Sequence, residues 1–193
     1  MRTIRIATRS SELALWQARH VASLFSGAAS RVEVVLVPVE SEGDQDVKTP
    51  LSALGGVGVF TRSVQQALLD GSADLAVHSA KDLPTRGVPG LVLAAVPARG
   101  PREDVLVAGG RRLADLPPGS RVGTSSPRRR AFLATRRPDL VYGELRGNVP
   151  TRLAKRDAGE HDAIVLARAG LVRLGLERRI DEVLGPDLVL PAV

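Results

Sequence analysis

The sequence predicts an α/β protein of two domains, in which short strands alternate with helices along the whole chain. A chain of 193 residues is long enough for one large domain or for two of about 100 residues each, and we favour two. The hydrophobic content of 44% with only 3% aromatic residues predicts a globular protein with a core of Leu, Val and Ala. The longest apolar runs, "LVLAAV" and "VEVVLV", have the length of strands.

The first half begins with a strand, a helix and a second strand. "TIRIAT" alternates as a strand does, Ser11 is a candidate cap for the helix "ELALWQARHVASLF", and "VEVVLVPV" predicts the next strand. A polar, glycine-rich stretch over 40–58 follows, of the length that functional lids or disordered loops have. The helix "FTRSVQQALLDG", ended by Gly71, and the strand "ADLAVHS" complete this half.

The second half repeats the alternation after a link between domains. "GLVLAAVPARGPREDVLVAGG" resembles two extended strands that cross between domains, with the boundary near Pro97–Arg102. Three strand and helix pairs follow: "SRVGTS" and a helix, "LVYGELRG" and "PTRLAKRDAGE", and "DAIVLA" and "AGLVRLGLERRI". We therefore expect each half to be a parallel α/β unit.

Several classes of function are disfavoured by composition. The chain contains no cysteine, and His20, His78 and His161 lie too far apart for zinc-type spacing, so we expect no metal. No apolar run reaches the roughly 20 residues of a membrane span, and the N-terminus lacks the apolar segment of a signal peptide. We therefore expect a cytoplasmic protein. The glycines near Gly58 lack the ending of a phosphate-binding loop, which argues against nucleotides.

The stretch "GTSSPRRR", residues 123–130, points to an anion. Ser126 is a candidate helix N-cap and Pro127 a candidate first helical residue, so the arginines fall in the first helical turn. Cations there are disfavoured by roughly 0.3–1 kcal/mol each, because the helix dipole is positive at that end. A carboxylate or phosphate ligand would neutralise them. The alternative is a basic surface exposed to solvent.

Basic and hydroxyl residues also recur directly after the other predicted strands. Ligands of open α/β sheets bind beyond the carboxyl ends of the strands, so we expect these residues to line one cleft that binds several carboxylates. They are Arg9 and Ser11, Lys81 and Asp82, Thr124 to Ser126 with Arg128 and Arg129, Arg146 to Asn148, and Arg173. Asp82 could accept a hydrogen bond from a substrate N–H or stabilise a developing cation, or it could merely cap a turn. A non-catalytic anion-binding module and, from the net charge of +6, a nucleic-acid binder remain alternatives.

The same residues carry a resemblance to a known family. "IATRSSELALWQA", "TPL…GGVGVF", "ADLAVHSAKDLP", "VGTSSPRRR", "LRGNVPTRL" and "DAIVLARAGLVRLGL" resemble, in order and spacing, the motifs of hydroxymethylbilane synthase, also called porphobilinogen deaminase. The resemblance runs from Arg5 to Val193. It implies a transferase of tetrapyrrole and haem biosynthesis that condenses four porphobilinogen molecules head to tail and releases ammonia each time. It also implies a monomer without membrane or nucleic-acid partners.

The resemblance further implies a fold and a role for each motif residue. The fold would be two periplasmic-binding-protein-like domains, 1–98 and 99–188, with a cleft between them and a return hinge starting at 189–193. Asp82 would be the catalytic carboxylate that contacts pyrrole nitrogens and stabilises a cationic intermediate. Substrate would be held by Arg9, Ser11, Gln17, Arg146 and Arg173, and the dipyrromethane cofactor by Lys81, Thr124, Ser125, Ser126, Arg128, Arg129 and Arg152.

Two departures from the family qualify these expectations. Val57, Arg62 and Ser63 stand where the family has a lysine, a further lysine and a glutamate, which would weaken contacts of the lid with substrate. The family also continues into a third, α+β domain, whose cysteine anchors the cofactor. This chain has no cysteine, so we expect it to lack that domain and to be unable, by itself, to make the attachment.

Overall fold

The computed structural model describes residues 2–28, 32–40 and 58–191. The chain divides into two units, Met1–Ala98 and Arg99–Val193, each with its own sheet. Most of the predicted glycine-rich loop, including Val57, lies outside the described residues. None of the helices within the described ranges is long and apolar enough to cross a membrane.

The first unit contains a parallel sheet of three strands. Its elements are β1 (Arg2–Arg9), α1 (Glu12–Ala28), β2 (Val32–Val39), α2 (Arg62–Leu69), β3 (Leu75–Ala76) and a 3-10 helix (Ala80–Asp82). The strand order is β2-β1-β3, and β1 pairs in parallel with both neighbours. The central strand β1 is buried at Ile6 and Ala7, with Ala7 packed against Val64 and Ala67 of α2. The strand and helix order predicted for this unit is therefore confirmed.

Local signals position helices α1 and α2. The Ser11 hydroxyl accepts a hydrogen bond from the Ala14 N–H at 3.4 Å, as predicted for a cap of α1. Helix α2 is followed by Gly71, whose φ of +75° is a conformation that glycine adopts without strain. The predicted strand "ADLAVHS" pairs with β1 only at Leu75–Ala76.

The predicted strand "LVLAAV" is not part of either sheet in the described residues. Residues 91–96 have no strand assignment, and Val92, Leu93 and Val96 are 88%, 71% and 69% exposed. An apolar run predicts a strand only when a partner strand is present to receive its backbone hydrogen bonds.

The second unit contains a mixed sheet of five strands. Its elements are β4 (Asp104–Val107), β5 (Arg121–Gly123), α3 (Pro127–Arg136), β6 (Val141–Gly143), α4 (Val149–Asp157), β7 (Ala163–Ala167), α5 (Arg168–Arg173) and β8 (Glu182–Leu184), with 3-10 helices at Leu113–Asp115 and Glu177–Arg179. The strand order is β6-β5-β7-β4-β8. The prediction of an all-parallel unit was wrong, because β4 runs antiparallel to both β7 and β8.

Helices cover both faces of this sheet. On one face Leu133 of α3 packs with Leu106, Val122 and Val165, and on the other Leu153 of α4 and Leu171 of α5 pack with strand residues of opposite parity, including Val105 and Ile164. Because both faces of β4 and β7 are buried, their sequences are nearly continuous apolar runs. The helix predicted over "AGLVRLGLERRI" ends at Arg173, and Gly175 has a φ of +68°.

Candidate functional site: two strand-end clusters

In each sheet one central strand lies between the two parallel strands that follow it along the chain. In the first unit β1 has β2 on one side and β3 on the other, and in the second unit β5 has β6 on one side and β7 on the other. The loops that follow such strands open a crevice at the sheet edge, which is where ligands of open α/β sheets bind. The residues predicted to be functional follow these strands in both units.

A small cavity in the first unit is lined by four of the predicted residues. Arg9 and Ser11 follow β1, Gln17 lies one turn into α1, and Asp82 ends the 3-10 helix after β3; all four line a cavity of about 50 Å³. The structure therefore brings these segments of the first unit together, and the cleft predicted for all the strand ends stays a prediction. Asp82 is exposed at this cavity, and Lys81 is exposed beside it.

Neighbouring side chains hold these residues in place. The Gln17 Nε2 donates to the Ser79 Oγ at 2.9 Å, which joins α1 to the loop after β3. The Arg9 guanidinium carbon lies 4.4 Å from the centre of the Phe60 ring, a cation–π distance. His78 also lines the cavity; burial lowers its pKa, while Asp82 raises it and Arg9 lowers it further. The cavity is thus polar, partly enclosed and rich in hydrogen-bond donors.

The N-terminus of α3 forms the corresponding feature of the second unit. Ser126 is the N-cap, with its hydroxyl accepting from the Arg129 N–H at 3.4 Å, and Pro127 occupies the first helical turn. The buried Thr124 accepts from the Ser126 N–H at 3.2 Å through its hydroxyl. Both features of the sequence prediction, the cap and the proline, are confirmed.

A second loop is bound to this helix start through Ser125. The Ser125 hydroxyl donates to the Leu145 carbonyl at 2.7 Å and accepts from the Leu145 N–H at 3.0 Å. Arg146 follows directly and is 7% exposed. Asn148 caps α4 by accepting from the Thr151 N–H at 2.9 Å. Ser125 therefore sets where the loop carrying Arg146 lies relative to α3.

Gly147 allows this loop to turn tightly. Its φ is +108°, and a Cβ at this position would lie 2.7 Å from the Thr151 Cγ2. Only glycine fits such a position without strain. The Arg152 Nε donates to the Gly147 carbonyl at 2.7 Å, so Arg152, another predicted ligand residue, supports the same turn.

Arg128 and Arg129 share one buried carboxylate, which the sequence analysis did not identify. The Asp104 side chain accepts from Arg128 Nη2 at 2.6 Å and from Arg129 Nη2 at 2.7 Å, and Asp104 is 3% exposed. Burial raises the pKa of Asp104, but the hydrogen bonds and charges of Arg129 and Arg128 together outweigh it and hold that pKa below its ordinary value. Part of the positive charge at the helix start is therefore neutralised within the chain.

Arg173 lies on a different helix of the second unit from the residues at the start of α3. It ends α5, and its guanidinium lies near Gly100. Burial lowers its pKa. The clusters described here belong to separate units, and Arg128, Arg146 and Arg173 are residues of the second one.

Sequence reasoning missed Asp104, Phe60 and the role of Leu145. A signal for Asp104 was present, because "PREDVLV" puts an acidic residue directly before an apolar run, and a carboxylate that becomes buried there needs a partner. The backbone contacts of Leu145 leave no signal in the sequence.

A wider groove in the first unit contains none of the predicted ligand residues. It has a volume of about 470 Å³ and lies between β2 and α2, where Arg62 and Ser63 line it with Val37 and Gln66. Two of the three positions that depart from the family pattern are therefore placed together here. Within the described ranges, no group of three or more His, Asp or Glu residues is arranged to hold a metal ion.

Comparison with known proteins gives one family. The model of the porphobilinogen deaminase, dipyromethane cofactor binding domain matches residues 4–193. The porphobilinogen deaminase of Syntrophotalea carbinolica is 49% identical over 191 residues, which are 98% of this chain and 61% of that protein. The chain thus spans about three fifths of the length of this curated relative.

Two solved structures are similar at low identity. The probable amino-acid ABC transporter extracellular-binding protein YtmK of Bacillus subtilis is 12% identical with a TM-score of 0.49, over 99% of this chain and 81% of that one. The periplasmic aliphatic sulphonate binding protein SsuA of Escherichia coli is 17% identical with a TM-score of 0.42, over 95% and 57%. The α/β class of both units rests on the strands and helices described above.

Proposed function

Because the chain belongs to the porphobilinogen deaminase family, we propose that it carries the substrate-binding and cofactor-binding residues of a hydroxymethylbilane synthase. The reaction would join four porphobilinogen molecules head to tail and release one ammonia at each step. The observation that carries the proposal is the cavity of the first unit, which Arg9, Ser11, Gln17 and Asp82 line together.

The chemistry of porphobilinogen suits these residues. The molecule carries an acetate and a propionate, and guanidinium and hydroxyl donors bind carboxylates. Arg9, Ser11 and Gln17 would orient incoming substrate, with Arg146 and Arg173 as further donors from the second unit. Asp82 would accept a hydrogen bond from the pyrrole N–H and stabilise the cation that forms as ammonia leaves, since fixed charges stabilise a charge that develops during reaction.

The second cluster fits a cofactor that carries carboxylates. The helix N-terminus supplies backbone N–H donors, and Arg128 is partly exposed, with 28% of its side-chain surface accessible. Thr124, Ser125, Ser126, Arg128, Arg152 and Lys81 would hold the dipyrromethane. Arg129, which is only 8% exposed and donates to the buried Asp104, would support the site without contacting the cofactor. When bound, this group supplies the primer to which further pyrroles are joined.

Calorimetry with porphobilinogen tests the binding proposal. We expect Arg128→Ala and Arg146→Ala each to weaken binding by about 10-fold to 100-fold, the loss of one charge-assisted hydrogen bond. Arg130→Ala is the matched control, because Arg130 lies on the same helix turn but is exposed, and we expect unchanged affinity. Wild-type affinity in both test variants would refute the proposal.

The catalytic role of Asp82 needs a separate measurement. We expect Asp82→Asn to abolish ammonia release from porphobilinogen, measured with added tetrapyrrole primer, while leaving the binding affinity within about threefold of wild type. Asp70→Asn, which alters an exposed carboxylate at the end of α2, serves as the control. Equal ammonia release by wild type and Asp82→Asn would refute the catalytic role of Asp82, whereas binding of porphobilinogen without ammonia release by the wild type would favour a non-catalytic carboxylate-binding module.

A further inference from the structure

The start of helix α3 contains a charge arrangement that ligand binding alone does not explain. Two adjacent arginines, Arg128 and Arg129, converge on the buried Asp104. Asp104 is the first residue of β4, and its backbone lies between Ala167 of β7 and Leu184 of β8. Because β4 is paired on both sides, the carboxylate is attached to one of the most rigid parts of the unit.

Arg129 is directed into the protein. It is 8% exposed, its Nη2 donates to Asp104 at 2.7 Å, and its Nη1 donates to the Val165 carbonyl at 2.9 Å. Among the described residues its Nε has no hydrogen-bond partner. Both terminal nitrogens of the guanidinium are therefore used within the chain, and Arg129 acts mainly as a partner of Asp104.

Arg128 is held differently. Its side chain keeps 28% of its surface accessible, its Nη2 donates to Asp104 at 2.6 Å, and its Nη1 donates to the Leu190 carbonyl. A free arginine on a helix surface samples many rotamers, and fixing it costs side-chain entropy. The carboxylate of Asp104 fixes it before any ligand arrives.

We propose that Asp104 is a positioning residue for the anion site at the start of α3, because its buried carboxylate holds Arg128 in the orientation that binds a ligand carboxylate. The inference rests on the proposed function, in which Arg128 contacts the ligand. Asp104 is 3% exposed and is too buried to contact a ligand itself. Its role is to preorganise the guanidinium of Arg128, although its own charge neutralises one of the two positive charges of Arg128 and Arg129.

A positioning role and a purely electrostatic role of Asp104 predict opposite changes in anion affinity when its carboxylate is removed. If Asp104 only reduced the local charge, Asp104→Asn would make the site more positive and tighten anion binding. If Asp104 positions Arg128, the same change frees the guanidinium and weakens anion binding. The sign of the change in affinity therefore separates the two roles.

The single Asp104→Asn variant leaves the buried Arg129 without its counter-charge, which is a strongly destabilising change. The test is therefore made in an Arg129→Gln background, where the buried cation is gone. Arg129→Gln, Asp104→Asn/Arg129→Gln and Asp104→Glu/Arg129→Gln are compared with wild type by calorimetry, with porphobilinogen and with glutarate as a simple dicarboxylate. Asp139→Asn is the matched control, since it breaks an Arg–Asp pair of 2.7 Å with Arg137 elsewhere in the same unit.

Four results are expected. Arg129→Gln and the Asp139→Asn control keep wild-type affinity for both ligands. Asp104→Asn/Arg129→Gln binds about tenfold more weakly than Arg129→Gln, as one charge-assisted hydrogen bond loses its preorganised donor. Asp104→Glu/Arg129→Gln recovers most of that affinity, because the glutamate carboxylate reaches Arg128 through the space that the shorter Gln leaves. A purely structural carboxylate would show no such recovery in affinity.

Each remaining outcome overturns the inference or separates it from the proposed function. If Asp104→Asn/Arg129→Gln binds the ligand as tightly as Arg129→Gln or more tightly, Asp104 does not position Arg128. If Arg129→Gln alone loses much of its affinity, Arg129 contacts the ligand directly and its assigned role is wrong. Wild-type binding of glutarate without porphobilinogen refutes the proposed function, while the glutarate series still decides the role of Asp104. Absence of binding to both ligands overturns both.

Discussion

Replacing Ser125 by alanine should destabilise the second unit by an amount that follows from its contacts. The hydroxyl donates to the Leu145 carbonyl at 2.7 Å and accepts from the Leu145 N–H at 3.0 Å, and Leu145 is 1% exposed. A hydrogen bond between neutral groups contributes about 0.5–1.5 kcal/mol net. Loss of both should therefore lower the free energy of unfolding by about 1–3 kcal/mol, because water cannot readily replace the hydroxyl at a buried backbone.

Urea denaturation followed by circular dichroism measures this change. The matched control is Thr135→Ala in the same unit, since Thr135 is exposed and its hydroxyl donates to a helical carbonyl, that of Phe132; we expect a change within about 0.5 kcal/mol. A Ser125→Ala protein as stable as this control would refute the reasoning that the hydroxyl joins the two loops.

Two further predictions concern backbone geometry and pH. In urea denaturation, Gly147→Ala should lower the free energy of unfolding more than Gly159→Ala does. Both glycines have a positive φ, which costs an alanine about 1–2 kcal/mol, but only at Gly147 would the new Cβ also clash with Thr151, at 2.7 Å. Equal losses of stability in the two variants would contradict this. Burial lowers the pKa of His161, which packs on Gly123, so the folded state binds fewer protons than the unfolded state. The contribution of neutral His161 to stability is therefore fully present above the ordinary histidine pKa of about 6.5, and it is lost as the pH falls below that value. His161→Phe should reduce this pH dependence of the free energy of unfolding.

Local features of the fold were predictable because they depend on neighbours in sequence. Ser126 and Pro127 mark the start of α3, and the structure has the cap hydrogen bond and the proline in the first turn. Ser11 does the same for α1. Capping needs only a hydroxyl within three residues of a free backbone N–H, so such positions can be identified without knowledge of the tertiary structure.

Features that depend on distant partners were not predictable. The apolar run of β4 gave no indication that it pairs antiparallel with β7, whose Ala167 lies opposite Asp104. The counter-charge of the arginines is equally distant, since Asp104 is separated from Arg128 and Arg129 by 24 and 25 positions. The sequence analysis expected an external anion to neutralise the helix start, and the fold supplies part of that neutralisation itself.

The site was predictable to the extent that sheet topology places it. Loops after adjacent parallel strands meet at one edge, so Arg9 after β1 and Asp82 after β3 line the same cavity. The cation–π contact between Arg9 and Phe60 could not be anticipated, because it depends on side-chain orientation. Roles in binding and catalysis remain predictions that the variants above test.

The exposed segment 91–96 has a consequence for the behaviour of the chain in solution. Val92 and Leu93 are 88% and 71% exposed, and the six residues "LVLAAV" contain neither a charge nor a proline. Extended apolar windows of this kind seed intermolecular β-pairing and aggregation. The weight-average mass measured by light scattering should therefore rise with protein concentration, and Val92→Lys should reduce that rise.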